Sequence, residues 1–240
     1  MSTTLFISDI HLDASAPETA QAFKDTFSGP GRQADAVYIL GDLFDAWIGD
    51  DDLTPFNRDI IKTLHDFTST THIPTYFIHG NRDFLIGKRF SKMTGVQILH
   101  ELTVIDLYGT PTLLLHGDTL CINDVAYQKF RKKSRGPLFK LLNIVTPLWV
   151  RRKIANKLRQ KSKEHFNSLT DKTISDVCLE EVDRVMQHYN VTQMIHGHTH
   201  RPCIHDNGRI VLGAWHHTAS ILYARDSAAP QLTTTKLTRT

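Results

Sequence analysis

The chain has 240 residues, 40% of them hydrophobic and 22% charged, enough for one good core with a sub-domain attached but not for two full domains. That composition excludes a disordered or fibrous chain. The formal net charge of +3 hides an asymmetry: residues 129–163 hold 13 Lys and Arg with no Asp or Glu, leaving 15 basic and 25 acidic residues elsewhere. One segment is built to meet anions and the rest is not.

In chain order, the opening Met1-Ser2-Thr3-Thr4-Leu5-Phe6-Ile7-Ser8-Asp9 lacks a basic start and meets an acid early, which predicts no signal peptide. Short apolar runs at 5–7, 37–40, 75–78, 113–115, 194–195 and 210–212 read as buried strands. Helical spacing lies between the first three, as at Ile60, Ile61, Leu64 and Phe67, which predicts an α/β sheet covered on both faces. From about Asn123 to Tyr189 the pattern is continuously helical, with Pro137 and Pro147 separating helices. The expected organisation is a first core part at 1–122, a helical lid insertion at 123–186 and a second core part at 187–240. No run of about 18 apolar residues is present, so no membrane span is expected. Cys121, Cys178 and Cys203 are scattered without disulfide or zinc spacing, which fits a reducing, cytoplasmic compartment.

Each early strand ends in polar sequence: Asp9-Ile10-His11, Gly41-Asp42-Leu43-Phe44-Asp45 and Gly80-Asn81-Arg82-Asp83. Later ones end in His116-Gly117-Asp118 and Gly197-His198-Thr199-His200. Any one of these is as readily a helix cap, a turn or a satisfied core histidine. Strand ends in open α/β sheets share one crevice, so five such clusters converge. Carboxylate, imidazole and amide oxygen suit Mn, Fe or Zn, and no cysteine lies within the motifs. In Asp9-x-His11 and His198-x-His200 the paired side chains would share a face if the backbone stays extended.

The set DxH, GDxxD, GNxD, HGD and GHxH, in this order, resembles the calcineurin-like metallophosphoesterases. That resemblance implies a two-sheet α/β sandwich and two metal ions. Asp9, His11 and His200 would hold the first; Asn81, His116 and His198 would hold the second; and Asp42 would bridge them. Asp45, Asp83 and Asp118 would orient ligands rather than bind metal. Many members carry His after the Asn of GNxD, where this chain has Arg82. Arginine is no general acid near neutral pH but grips phosphate oxygens with two nitrogens, so the leaving group should already be a good one, as in a diphosphate.

A longer set of residues narrows the resemblance: 38–51, 79–85, 116–121 and 195–202 are similar to the UDP-2,3-diacylglucosamine diphosphatases of lipid A biosynthesis. This implies a Mn(II) enzyme, two ions per chain, acting peripherally at the cytoplasmic face of the inner membrane. Its substrate would be UDP-2,3-diacylglucosamine, attacked at the α-phosphorus to release UMP and 2,3-diacylglucosamine 1-phosphate. Substrate contacts carry over to Asn81, Arg82, Asp124, Ser162 and His198, and a further one to Asn167. The plain alternative is that Ser162 and Asn167 are exposed helix residues. The lysine expected next falls near Thr170, which leaves that role unassigned. The apolar stretch 138–150, flanked by Arg131-Lys132-Lys133 and Arg151-Arg152-Lys153, suits an anionic membrane surface. Nucleic acid is not expected, because the basic segment lacks interleaved aromatics. A same-fold hydrolase of another nucleotide diphosphate or phosphodiester and a metal-free interaction module are the alternatives.

Overall fold

Leu5 and Ile7 point to one side of the first strand, Phe6 points to the other, and all three are fully buried. A strand covered on both faces is what an interior parallel sheet requires. This strand, β1 (Thr3–Ile7), belongs to a computed structural model that describes residues 2–168 and 176–237, the side chains of 140 and 161–168 excepted. It pairs in parallel with β2 (Ala36–Ile39), which pairs with β3 (Thr75–Phe77) and then β4 (Gln97–Ile98). The second sheet starts with the hairpin β5 (Thr103–Leu107) and β6 (Thr110–Leu114). It continues through β7 (Gln193–His196), β9 (Arg209–Val211) and the short edge strand β8 (Cys203–Ile204). At the far side of the first sheet, β10 (Thr218–Arg225) runs antiparallel to β1 and is flanked by β11 (Ala228–Lys236).

Helices α1 (Pro17–Ser28), α2 (Pro55–Thr71) and α3 (Lys88–Thr94) cover the outer face of the first sheet. The stripe Ile60, Ile61, Leu64 and Phe67 is the buried face of α2, as its spacing predicted. Thr54 Oγ1 accepts the Asn57 amide at 3.1 Å, and Pro55 opens the helix, so its start is capped in sequence. Phe6, Leu40, Ile78, Leu114, Ile195, Ile210 and Leu222 fill the space between the sheets. Leu113, Leu115 and Met194 face the other way, against Val182, Val185 and Met186 of α7 (Leu179–His188). The layers therefore run helix, sheet, sheet, helix. The end of the expected 123–186 insertion needs correcting accordingly, because α7 packs as a layer of the core.

The lid helices are α4 (Val125–Ser134), α5 (Pro137–Val145) and α6 (Leu148–Ser168), with Pro137 and Pro147 at the starts of the last two. Leu138, Leu141, Leu142, Ile144 and Val145 on α5 are all more than half exposed, and so is Trp149. The basic segment divides instead of facing outward as a whole. Arg131 and Arg135 pair with Glu101 and Asp118, Arg151 with Asp51, Arg152 with Asp52, and Arg159 with Asp45. Among its described side chains, five cations thus tie the lid to acids of the core, while Lys132, Lys133, Lys153 and Lys157 are exposed. No helix among the described residues is long and apolar enough to cross a membrane.

Candidate metal centre

All seven expected ligands lie just beyond the carboxyl ends of parallel strands: Asp9 and His11 after β1, Asp42 after β2, Asn81 after β3, His116 after β6, and His198 and His200 after β7. The first two loops stay side by side past the sheet, with the Asp9 amide on Gly41 O at 3.1 Å and the His11 amide on Asp42 O at 2.9 Å. Asp9, His11, Asp42, His198 and His200 all have positive φ, from 52° to 69°. Non-glycine residues avoid that region, and its concentration in one loop cluster marks a functional site. Two glycines allow the crowding. A Cβ on Gly80 would lie 2.1 Å from Asp42 Oδ1, and one on Gly197 would lie 2.1 Å from Asp9 Oδ2.

The ligand atoms form two adjoining groups. Asp9, His11 and His200 each bring an atom within 4.8 Å of the others, and Asp9, Asp42 and His116 do the same. His200 Nε2 is 3.3 Å from Asp9 Oδ1 and 3.2 Å from His11 Nε2. Asp42 turns Oδ2 toward His11 Nδ1 (3.9 Å) and Oδ1 toward His116 Nε2 (3.7 Å). Asn81 Oδ1 lies 2.9 Å from His116 Nε2 and 3.1 Å from His198 Nδ1. The extended-backbone expectation for the two x-spaced pairs fails. Left-handed turns replace extended chain, and they send His198 and His200 to different groups.

The donor set fits divalent cations. Asp9 Oδ1 and His11 Nδ1 are buried without a hydrogen-bond partner, a cost that native structures seldom leave standing without an ion or a function. His116 Nδ1 donates to Leu40 O at 2.9 Å, which leaves Nε2 pointing at the oxygens of Asn81 and Asp42. A neutral imidazole there sets a lone pair against two oxygens, and only a proton or a cation relieves that. Charges agree. Burial opposes ionisation of His116, but Asp42, then Asp9 and Asp118, push it up to about 9. Burial, Asp83 and Asp9 push Asp42 up to about 7. Burial disfavours the Asp9 carboxylate too, yet the His200 imidazole beside Oδ1 and the charges of His116 and His11 hold it far below the usual range. Burial brings His198 down to about 3 and His11 well below its ordinary value, so both present neutral rings, the form that binds metal.

The three acids expected to orient ligands meet different partners. Asp83 Oδ1 accepts the Gly80 amide at 2.9 Å and Oδ2 the Leu43 amide at 2.7 Å, joining the Asn81 loop to the Asp42 loop. Asp45 takes Arg82 Nη1 at 3.1 Å and also Arg159 from α6. Asp118 corrects its expectation: it receives Tyr127, Arg131 and Arg135 from the lid and touches no ligand histidine. Asp124 caps α4, accepting the Tyr127 amide at 2.9 Å. Ser162 and Asn167 fall on α6 where side chains are outside the described residues, and Thr170 itself lies outside them.

Two contributors escaped sequence reasoning. Arg159 reaches from the lid to Asp45 and lies 3.6 Å from Asp13. His216 stacks on His11, ring centroids 5.7 Å apart and 5° from parallel, and meets His200 edge-on at 5.5 Å. Neither sits in a recognisable motif. The Trp215-His216-His217 triplet is the only local signal for the second, and a charge run hides the first.

The comparisons agree with this geometry. The family model described as calcineurin-like phosphoesterase matches residues 2–202, which takes in all seven expected ligands but not His216. A UDP-2,3-diacylglucosamine hydrolase of Coxiella burnetii is 51% identical over 236 residues, 95% of this chain and 96% of that protein. Proteins of the same name from Salmonella arizonae and Serratia proteamaculans are each 48% identical, over 91% of this chain and 93% of theirs. Paired ligand groups at parallel strand ends, matched along most of the sequence, make this chain a member of the calcineurin-like phosphoesterase family.

Proposed function

We propose that the chain hydrolyses the diphosphate of UDP-2,3-diacylglucosamine, a lipid A precursor, to UMP and 2,3-diacylglucosamine 1-phosphate. The observation that carries the reading is Arg82. It stands in the GNxD loop beside the ligand groups, its side chain 27% exposed and one nitrogen held by Asp45. A planar guanidinium binds paired phosphate oxygens but cannot protonate an alkoxide, so the site suits a substrate whose leaving group is itself a phosphate. The relatives' shared name supplies the same substrate.

Asp9, His11 and His200 would hold one Mn(II), and Asn81, His116 and His198 the other, with Asp42 shared. Bound there, the pair supplies positive charge to phosphoryl oxygens and a water acidic enough to attack at neutral pH. Arg82 orients the diphosphate and takes up charge developing on its oxygens. Asp83 fixes the two loops so that Asn81 and Asp42 keep their spacing. Asp124 at the start of α4, together with Ser162 and Asn167 as the resemblance implies, would contact substrate, and the apolar face of α5 would receive its acyl chains.

Turnover in heavy-oxygen water tests the reaction. The label should enter UMP, as attack at the α-phosphorus requires, and label in the lipid phosphate instead would overturn that assignment. Equal or better turnover of a soluble nucleotide sugar would favour another diphosphate as the substrate.

The chain would work at the cytoplasmic face of the inner membrane, bound through the exposed lid lysines and α5. Such cations contribute about 1 kcal/mol each near an anionic surface. Lys132, Lys133, Lys153 and Lys157 changed together to Glu should weaken sedimentation with anionic vesicles and slow turnover of vesicle-borne substrate. Detergent-dispersed substrate should be turned over nearly as before. Arg151→Glu should act otherwise. The Arg151 side chain is 8% exposed and donates to Ile48 O, Thr146 O and Asp51. Losing such charged hydrogen bonds costs about 1.5–3 kcal/mol each, so both substrate forms should suffer alike. Equal losses in both assays for the lysine variant would rule out the membrane role.

A further inference from the structure

We propose that Arg135, at the end of α4, is a positioning residue for the loop that carries Asn81 and Arg82; the inference rests on the roles proposed above for those two residues. The loop is anchored in an unusual way. Gly80, immediately before Asn81, can carry no side chain, because a Cβ would collide with Asp42 Oδ1. Only its peptide groups remain to hold it. Its N–H donates inward to Asp83 Oδ1 at 2.9 Å, and its carbonyl accepts outward from Arg135 Nη2 at 3.0 Å.

Arg135 is itself well fixed. Nη1 donates to Glu101 Oε1 at 2.7 Å, and Nη2 lies 3.2 Å from Asp118 Oδ2. The guanidinium carbon sits 5.7 Å from the centre of the Phe84 ring, further along the same loop. Arg131 and Tyr127 hold Asp118 from the same helix, with Arg131 Nε at 2.8 Å. One planar side chain therefore touches the loop after β3 twice and the loop after β6 once. Both loops bear ligands of the same group: Asn81 in one, His116 in the other.

A plain tether between lid and core is the simpler account, and Arg151 is such a tether. Its bonds go to Asp51 and Ile48. Among the described lid residues, Arg135 alone hydrogen-bonds the residue directly preceding an expected ligand. Partners that orient ligands from behind typically contribute about 10–100-fold in metal affinity or activity.

The test compares Arg135→Met, Arg135→Lys and Arg151→Met in the full chain. Stripped protein is titrated with Mn(II) by calorimetry, and kcat and KM are measured on detergent-dispersed UDP-2,3-diacylglucosamine. Arg135→Met should weaken one of the two manganese steps about tenfold or more and lower kcat by a similar factor, leaving the other step within about twofold. Arg135→Lys should rescue only part of this, since one ammonium cannot span Gly80 O and Glu101 as the fork does. Arg151→Met should lower the melting temperature with both manganese steps unchanged. If Arg135→Met fails to fold, Glu101→Gln loosens the same guanidinium from a more exposed position and should give the same one-step weakening, at smaller size. Two unaltered manganese steps with kcat within about twofold of wild type, in whichever variant folds, would make Arg135 a tether and overturn the proposal. Should the wild-type chain not turn over the lipid substrate, the substrate reading falls alone and the titration still decides Arg135.

Discussion

Asp42→Ala should abolish tight binding of the proposed manganese pair and lower turnover by about a thousandfold or more, some 4 kcal/mol of barrier at about 1.4 kcal/mol per tenfold. Its two oxygens face different histidines, His11 and His116, and Oδ1 also accepts the Arg82 amide at 2.9 Å. One truncation thus removes the proposed bridge between the two groups and a support of the Arg82 loop. His116→Ala should spare one manganese step, because that ring belongs to a single group. Asp42→Asn separates binding from stability. A buried carboxylate whose pKa lies at about 7 is raised above its unfolded value, so the metal-free fold binds the extra proton. Asp42 then contributes instability that grows as pH rises from about 4 through 7. The Asn variant should melt higher than wild type without metal at pH 8 and lower with manganese present. Activity of Asp42→Ala within tenfold of wild type would remove the bridging assignment.

Arg82→Lys keeps a positive charge yet loses the planar fork, and turnover of the lipid diphosphate should fall about a hundredfold, near 2.7 kcal/mol. The manganese titration should be unchanged, since the Arg82 side chain reaches Asp45 and only its backbone N–H touches a ligand. Arg82→His, which restores the commoner family residue, should stay poor on the diphosphate and gain some activity on artificial phosphodiesters, whose alkoxide leaving groups need a proton. A wild-type rate in Arg82→Lys would show that the two-nitrogen grip is not what the reaction uses.

What the sequence announced was local. Apolar runs of two to four residues marked β1, β2, β3, β6, β7 and β9, and the polar residues after five of them converged as strand-end logic requires. Strands β10 and β11 went unread. β11 is an exposed edge rich in threonine, with neither an apolar run nor a clean alternation to betray it. The two-residue strands β4 and β8 are too short for any period to register. The left-handed turns at the ligands were invisible, because Asp and His carry no mark of positive φ as glycine does. Longer-range facts were invisible for a different reason. Arg151 and Asp51 are 100 residues apart and Arg135 and Glu101 are 34 apart, so a charge run examined by itself looked unpartnered. Asp118 was misjudged on the same ground, since its partners lie in a segment whose cations all look alike. Val182, Val185 and Met186 carry helical spacing whether the helix serves a lid or a core layer, and only the packing tells which.

The strand order also dictates a timetable for the growing chain. β1 is flanked by β2 on one side and by β10 on the other, with Thr3 opposite Arg225 and Phe6 opposite Leu222. Ribosomes extend a chain from its N-terminus at about 5–20 residues per second. The strand that presents Asp9 therefore waits with one bare edge until residues 222–225 have been made. β6 waits likewise for β7, whose Ile195 pairs with Leu114, and the helices inserted between them are made in the meantime. His198 and His200 follow only then. A chain released before residue 200 has acids gathered at its strand ends, too few imidazoles to neutralise them with metal, and two open sheet edges. Such a fragment would be a ready target for chaperones and proteases, so the last proposed ligands and the closing strands arrive together, after residue 195.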